Sequence, residues 1–326
     1  MKASIVILNW NGGAEHCLES VASALAQDYP DKEILFVDNA SSDGSPEAVK
    51  ANYPDLVHIQ TGSNLGCPAG RNVGARAASG DILFFLENDG AWATADVVSG
   101  VMDWFQRLPQ LGALYTRVDG YASGKPDQPL DGPTPEHGLF LSHSFRGGAS
   151  AVRRQLFVDL GCFPDDFFRQ GEEGHVSLKL YDEGYLVAYW PERIMRHKGS
   201  DYPGKSAAVF RYYFENTMKT LIRLYPLSYA WRIGLLKYLR YAYLFARRGR
   251  LTEFVAVNRE LWAAIRQSSS ERPVRPQVID LAEHLRSGEL KINLQQTPVD
   301  TESLLASIKP ARHFLKSLQR IFANGR

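Results

Sequence analysis

Cysteine is scarce in this chain: there are three in 326 residues, Cys17, Cys67 and Cys162. Their spacing matches neither a disulfide framework nor a CxxC metal site, so three reduced thiols in a reducing compartment are expected. Net charge is also nearly absent, with 37 Lys and Arg against 36 Asp and Glu. That balance argues against bulk binding to nucleic acid, which needs a clear basic excess. No apolar run approaches the roughly 18–20 residues that span a bilayer. The opening Met-Lys-Ala-Ser-Ile-Val-Ile-Leu-Asn turns polar after a few residues and reads as a strand, not a signal peptide. The expectation is a cytoplasmic protein, soluble or peripheral on the inner face of the cytoplasmic membrane. Missing too are a Walker phosphate loop, a GxGxxG dinucleotide fingerprint, a nucleophile elbow and any internal repeat.

What is present is an alternation. Short apolar runs at Ala3–Leu8, Glu33–Val37, Val57–Gln60 and Ile82–Leu86 read as buried strands. Helical periods fall between them, at Ala14–Gln27, Pro46–Asn52 and Ala69–Ala78. Strands alternating with helices predict βαβ units and a mostly parallel, Rossmann-like α/β sheet flanked by helices. Such sheets bind ligands beyond the carboxyl ends of their strands. Asn9, Asp38 and Asp89 each follow an apolar strand directly or within a few residues. Further on, helices are expected at Val97–Leu108, near Arg153–Leu160 and at Gly171–Glu183, with a strand at Tyr185–Trp190. Asp119–His137 reads as a loop, 207–267 as mostly helical, and Glu271–Pro276 as a linker.

Four groups of residues could carry chemistry. Asp38-Asn39-Ala40-Ser41-Ser42-Asp43 suits contacts to a ribose or base edge, and equally an Asx turn capping the next helix. Glu87-Asn88-Asp89 offers two carboxylates in a loop for a hard divalent cation, or two solvated turn charges. Glu172-Glu173, with His175 close by, could hold a carboxyl of raised pKa fit for general-base work, or a charged helix N-terminus. His197 has weight only in such company.

In order, these pieces resemble glycosyltransferase family 2, with the GT-A fold, and within it the bacterial rhamnosyltransferase-like branch. The resemblance runs over about residues 3–200. It rests on Ile7 to Gly12, Val37 to Gly44, Asn64-Leu65-Gly66 with Gly70 to Gly74, Gly80 through Asp89, Arg146-Gly147-Gly148, Gly161-Cys162-Phe163, Gly171-Glu172-Glu173, Gly184-Tyr185 and His197. It implies a catalytic domain over 1–205, with a nucleotide-sugar half to about 95 and an acceptor half beyond. A helical extension over 206–270 and a linker with C-terminal amphipathic helices over 271–326 would follow.

By that resemblance Asn9, Asn11 and Asp38 line the nucleoside pocket, and Arg71, Glu87 and Asn88 help hold the donor. Asp89 and His197 bind a divalent metal, Mn²⁺ or Mg²⁺, against the diphosphate. Glu173, beside Glu172, is the catalytic base. The implied reaction is inverting transfer of a sugar from a UDP- or dTDP-sugar to a hydroxyl of a glycan, glycolipid or small glycoside. The alternative is a weakened or non-catalytic member of the same fold that binds sugar nucleotides. Three positions depart from the family pattern: Glu87 replaces the first acid of its DxD, Glu173 replaces Asp at the base, and His175 stands where an acid is usual.

Basic residues Arg232, Lys237, Arg240, Arg247, Arg248 and Arg250 are interleaved with Leu224, Tyr225, Trp231, Leu235, Leu236, Leu239, Tyr243 and Phe245. Two readings stand: a basic amphipathic surface on anionic lipid, and helices packed on the catalytic domain or on a second copy. Thr301–Phe322 repeats the amphipathic pattern and suits self-association as a homodimer.

Overall fold

The computed structural model describes residues 1–310 except 128, 133, 202–206, 268–270 and 298; for 200, 201, 207, 208 and 263–267 it describes the backbone alone. The outer part of the amphipathic tail, including Phe314, Leu315, Leu318, Ile321 and Phe322, lies outside the described residues.

The first strands form where the apolar runs predict: β1 (Ala3–Asn9), β2 (Lys32–Asp38), β3 (Val57–Gln60) and β4 (Ile82–Glu87). Every residue of β1 is buried, as a central strand covered on both faces requires. Helices α1 (Ala14–Leu25), α2 (Ser45–Asn52) and α3 (Cys67–Ala77) make the crossovers, and β3, β2, β1 and β4 pair in parallel in that order. The register sets Asn9 beside Asp38, and Leu8 beside Glu87. Three strand tips therefore end in line at one edge.

Beyond β4 the pairing changes. The next elements are β5 (Gly90–Trp92), α4 (Val97–Arg107), β6 (Leu111–Gly120), β7 (Phe140–Leu141), β8 (Ala149–Arg153), α5 (Arg154–Asp159), α6 (Glu172–Asp182) and β9 (Leu186–His197). Strand β8 inserts antiparallel between β4 and β6, and β5 and β7 pair antiparallel with β9. The parallel character expected for the whole sheet thus holds in its first half, and the nine-stranded sheet is mixed. Strand β9 outruns the expected Tyr185–Trp190 by seven residues and ends on His197, which delivers that residue to the tip of β5 at Gly90.

The C-terminal third adds α7 (Ala207–Leu224), α8 (Leu227–Arg247), α9 (Leu251–Gln267), α10 (Pro276–Arg286) and α11 (Thr301–Ser307). Helices α7 to α9 enclose a small core of Phe214, Phe245, Val257 and Leu261. Residues 271–276, read from their prolines as a linker, are tied down: Arg275 bonds Asp182 at 3.1 Å and Glu271 bonds His175 at 3.0 Å. Helix α10 buries Val278, Ile279, Leu281 and Leu285 in the same core cluster as the sheet. The aromatic and aliphatic stripe over 224–245 splits. Leu224, Tyr225 and Phe245 are core, whereas Trp231, Leu235, Leu239 and Tyr243 are all more than half exposed. Among the described residues no helix is long and apolar enough to cross a membrane.

Candidate active site

The polar residues at the strand tips build the site from its floor. Asn9 closes β1 and is fully buried. Its amide donates to Ser45 Oγ at 2.8 Å and Ser41 Oγ at 3.0 Å, and its oxygen accepts from Asn88 Nδ2 at 2.8 Å and Gly12 N at 3.2 Å. With donor and acceptor atoms taken by protein neighbours, Asn9 ties three loops together and presents no open face to a nucleoside. A buried amide whose polar atoms are engaged in this way positions its neighbours. Asn88 is held by the same bond. Asn11, at positive φ, accepts from Ser42 N at 2.8 Å and so pins the loop after β1 to the loop after β2.

Asp38 is buried and accepts Ser41 N at 3.2 Å, so the Asx-turn reading of its loop is realised. Asn39, which the sequence marks only as part of that loop, reaches further. It donates to Asn64 Oδ1 at 3.0 Å and to Gly66 O at 3.1 Å, and accepts from Leu65 N at 3.0 Å. It thereby fixes the loop that opens α3.

Helix α3 carries Arg71 inward, its side chain only 5% exposed. The guanidinium reaches Glu87 Oε1 at 2.7 Å and Glu172 Oε1 at 3.3 Å. One buried cation thus joins the acid at the tip of β4 to the acid pair opening α6. Arg71 and Glu172 are both withdrawn from water, so each needs the other, while Glu87 keeps some contact with solvent. Its two terminal nitrogens both face protein carboxylates.

Glu172 is buried and its Oε2 has no hydrogen-bond partner among the described residues. Burial pushes its carboxyl up to about 8; the neighbouring Glu173 charge adds to this and Arg71 opposes it. Burial raises Glu173 as well, against Arg71 and the Gly147 amide. Glu173 Oε1 accepts Gly147 N at 3.0 Å. A Cβ on Gly147 would come within 2.5 Å of Arg71 Nη1 and 2.6 Å of Glu173 Oε1, and one on Gly148 would collide with the Glu87 side chain. The Arg-Gly-Gly stretch is therefore the bare backbone against which the acids pack. His175 does not join them. It is buried on the other side of α6, between Thr220 Oγ1 at 3.3 Å and Glu271 Oε2 at 3.0 Å.

The remaining pair sits at the tip of β5. Asp89 Oδ1 lies 3.2 Å from His197 Nε2, and Asp89 Oδ2 accepts Gly199 N at 3.1 Å. Burial alone would raise the Asp89 carboxyl, but the His197 hydrogen bond and charge hold it below its usual value. Asp89 in turn raises His197 against the effect of burial. Among the described residues no three Cys, His, Asp or Glu side chains converge on one point. One carboxylate and one imidazole nevertheless fit a hard divalent cation that takes its other ligands from water and phosphate oxygens.

With this geometry in view, residues 4–163 match the family model for glycosyl transferase family 2. The chain is similar to the O-antigen chain rhamnosyltransferase RfbN of Salmonella typhimurium, 26% identical over 238 residues, which are 66% of this chain and 71% of that one. The fold is shared with the S. aureus TarS fragment 1-349, at TM-score 0.57 and 15% identity, covering 98% of this chain and 92% of that one. It is shared too with the mannosyltransferase PcManGT from Pyrobaculum calidifontis, solved with GDP-Man and Mn²⁺. There the TM-score is 0.52 and identity 18%, with 99% of this chain and 85% of that one covered.

Proposed function

Since this chain is a glycosyltransferase of family 2, with the GT-A fold, we propose that it moves the sugar of a UDP- or dTDP-sugar onto a hydroxyl of a glycan, glycolipid or small glycoside, with inversion. The observation that carries the reading is the bridge from the acid at the tip of β4 to the acid pair opening α6, with an acid–imidazole pair at the start of β5. Asp89 pairs with His197, and Arg71 bridges Glu87 to Glu172 beside Glu173.

On this reading the loops after β1 and β2, with Asn11 and Asp38, frame the nucleoside, and Asn9 and Asn88 hold those loops in place. A divalent cation on Asp89 and His197 would neutralise charge developing on the leaving nucleoside diphosphate. Glu173 accepts the proton of the acceptor hydroxyl as that oxygen attacks the anomeric carbon. The bond from that carbon to the diphosphate oxygen breaks, and its electron pair leaves with the diphosphate. A single displacement inverts the carbon. Glu173 is suited to this because its raised pKa makes it a better base than an ordinary carboxylate, and the Gly147 amide aims it.

The test is a thermal-shift panel of sugar nucleotides with and without Mn²⁺. A UDP- or dTDP-sugar is expected to raise the melting temperature only with the metal, and Asp89→Ala is expected to remove the rise. A rise of equal size without metal, or in Asp89→Ala, would refute the metal assignment.

The outer face of α8 suits peripheral contact with anionic lipid. Its sequence, Leu227 to Arg247, contains four basic residues and no acid. Trp231, Leu235, Leu239 and Tyr243 recur every fourth residue and stand exposed. Aromatic and aliphatic side chains flanked by cations are what an interfacial helix presents to headgroups. Co-sedimentation with phosphatidylglycerol vesicles is expected for the wild type and is expected to drop at least tenfold in Trp231→Glu/Leu235→Glu. Equal pelleting of both proteins would remove this role.

A further inference from the structure

Helix α7 reaches the stretch of chain just before the acid pair. Asn216 lies on it and is buried. Its amide donates twice, to Arg169 O at 2.9 Å and to Gln170 O at 2.6 Å. Its Oδ1 is buried with no hydrogen-bond partner among the described residues. Turning the amide over would set that oxygen against two carbonyl oxygens, so the two carbonyls dictate its orientation. An acceptor left unpaired in the interior is unfavourable, and the two donated bonds offset it.

Those bonds hold a strained turn. Gln170 has φ 72° and Gly171 φ 90°, two left-handed residues in succession. Glycine adopts that region freely and glutamine does not. A Cβ on Gly171 would lie 3.4 Å from Asn216 Cβ, so α7 packs on the turn itself. Glu172 and Glu173 follow at once as the first residues of α6, and no side-chain hydrogen bond caps that helix. The backbone at 169–171 therefore sets how α6 begins. The residues leading into the turn are fixed as well. Arg223 bonds both carboxylate oxygens of Asp166 at 2.8 Å, and Lys219 donates to Asp166 O at 3.0 Å. Cys67 N, at the start of α3, donates to Phe168 O at 2.9 Å. Asn216, Lys219 and Arg223 follow one another at steps of three and four, so one face of α7 holds the chain that leads into the acids.

We propose that Asn216 is a positioning residue for the acceptor-side base. Its two hydrogen bonds keep the Gln170-Gly171 turn left-handed and so fix where Glu173 leaves α6 and meets Gly147 N. This rests on Glu173 being that base. The helical extension thereby aims the base, although Asn216 touches no reacting group.

The test compares the full wild-type chain with Asn216→Leu, which keeps the branched shape and removes both donors. The first readout needs no sugar acceptor: it is hydrogen exchange at the Gly147 amide, which donates to Glu173 Oε1 at 3.0 Å. Exchange is expected to be about tenfold faster in Asn216→Leu, the factor for losing one hydrogen bond to a charged group. The second is turnover, with Mn²⁺, of the UDP- or dTDP-sugar that gives the largest thermal shift. There kcat is expected to fall about tenfold or more, as for a misplaced reacting group, with donor KM unchanged. Adding Gln170→Gly to Asn216→Leu is expected to restore most of both, because glycine holds a left-handed turn unaided. Gln170→Val strains the turn while Asn216 stays in place. It is expected to reproduce both losses, and it decides the matter should Asn216→Leu not fold. Unchanged Gly147 exchange in either single variant, or losses that Gln170→Gly does not restore, overturns the proposal and leaves Asn216 a packing residue of α7. Faster exchange restored by Gln170→Gly, with Glu173→Gln turning over at the wild-type rate, would keep Asn216 as the residue that aims Glu173 and count against Glu173 as the base.

Discussion

Glu173→Gln is expected to lower kcat by about 10²–10⁴-fold, the range for loss of a general base, while the protein melts close to the wild-type temperature. Glutamine keeps a carbonyl oxygen that can accept Gly147 N where the carboxylate now does at 3.0 Å, so the loop before β8 stays anchored. It loses only the ability to take a proton. Asp89→Ala is expected to reduce turnover by a comparable factor for a different reason, by removing the carboxylate that meets His197 at 3.2 Å. The two variants separate in metal dependence. Residual activity of Glu173→Gln still rises with Mn²⁺, whereas that of Asp89→Ala does not. A pH profile adds a sign. As the proposed base Glu173 would work only when ionised, and its pKa is raised, first by burial. Wild-type kcat/KM should therefore climb with pH through a pKa above the ordinary carboxylate range and fall away below it. Turnover unchanged in both variants would refute the enzyme reading and leave a sugar-nucleotide-binding protein of the same fold. An acid limb at an ordinary carboxylate pKa would refute Glu173 as base.

The first half of this site was legible because each strand there is an apolar run that stops at a polar residue. Parallel pairing then needs only short crossovers to bring Asn9, Asp38 and Glu87 into line. The second half was not, for identifiable reasons. Strand β6 (Leu111–Gly120) and the two-residue β7 owe their existence to partners far along the chain, at β8 and β9, and no local period announces such pairing. The contacts of Arg71 reach 16 residues to Glu87 and 101 to Glu172, which spacing alone does not encode. His175 is different, since helix geometry could have set it aside. Two residues on from Glu173 is about 200° around an α-helix, so the two side chains diverge, and His175 goes to Glu271 instead. Asn9 shows the reverse confusion: a residue at a strand tip can matter by holding loops as much as by touching a ligand.

Arg71→Met is expected to cost about 3–5 kcal/mol of stability, as for a buried ion pair broken from one side, and most of the activity with it. Methionine fills much of the volume, so the loss is chiefly electrostatic. Without the guanidinium, the charges of Glu87, Glu172 and Glu173 that act on it lose their shared cation. The pH dependence distinguishes this from a packing defect. Glu172 is held at about 8 in the folded protein, against an ordinary value of 4.5. Its folded pKa is raised, so the native state holds an extra proton between those values and stability falls as pH rises through that window. Arg71 opposes this by favouring the charged carboxylate. Removing it moves the folded pKa higher still, so the fall continues to higher pH than in the wild type. The gap between wild type and Arg71→Met, measured by urea unfolding, should therefore be wider at about pH 9 than at about pH 5. Adding Glu172→Gln to Arg71→Met should recover part of the loss at the higher pH, because the carboxylate with an unbonded Oε2 is then replaced by a neutral amide. A gap that is the same at both pH values, or no recovery in the double variant, would show that Arg71 stabilises the fold by packing and not as the charge that offsets buried Glu172 and its acidic neighbours.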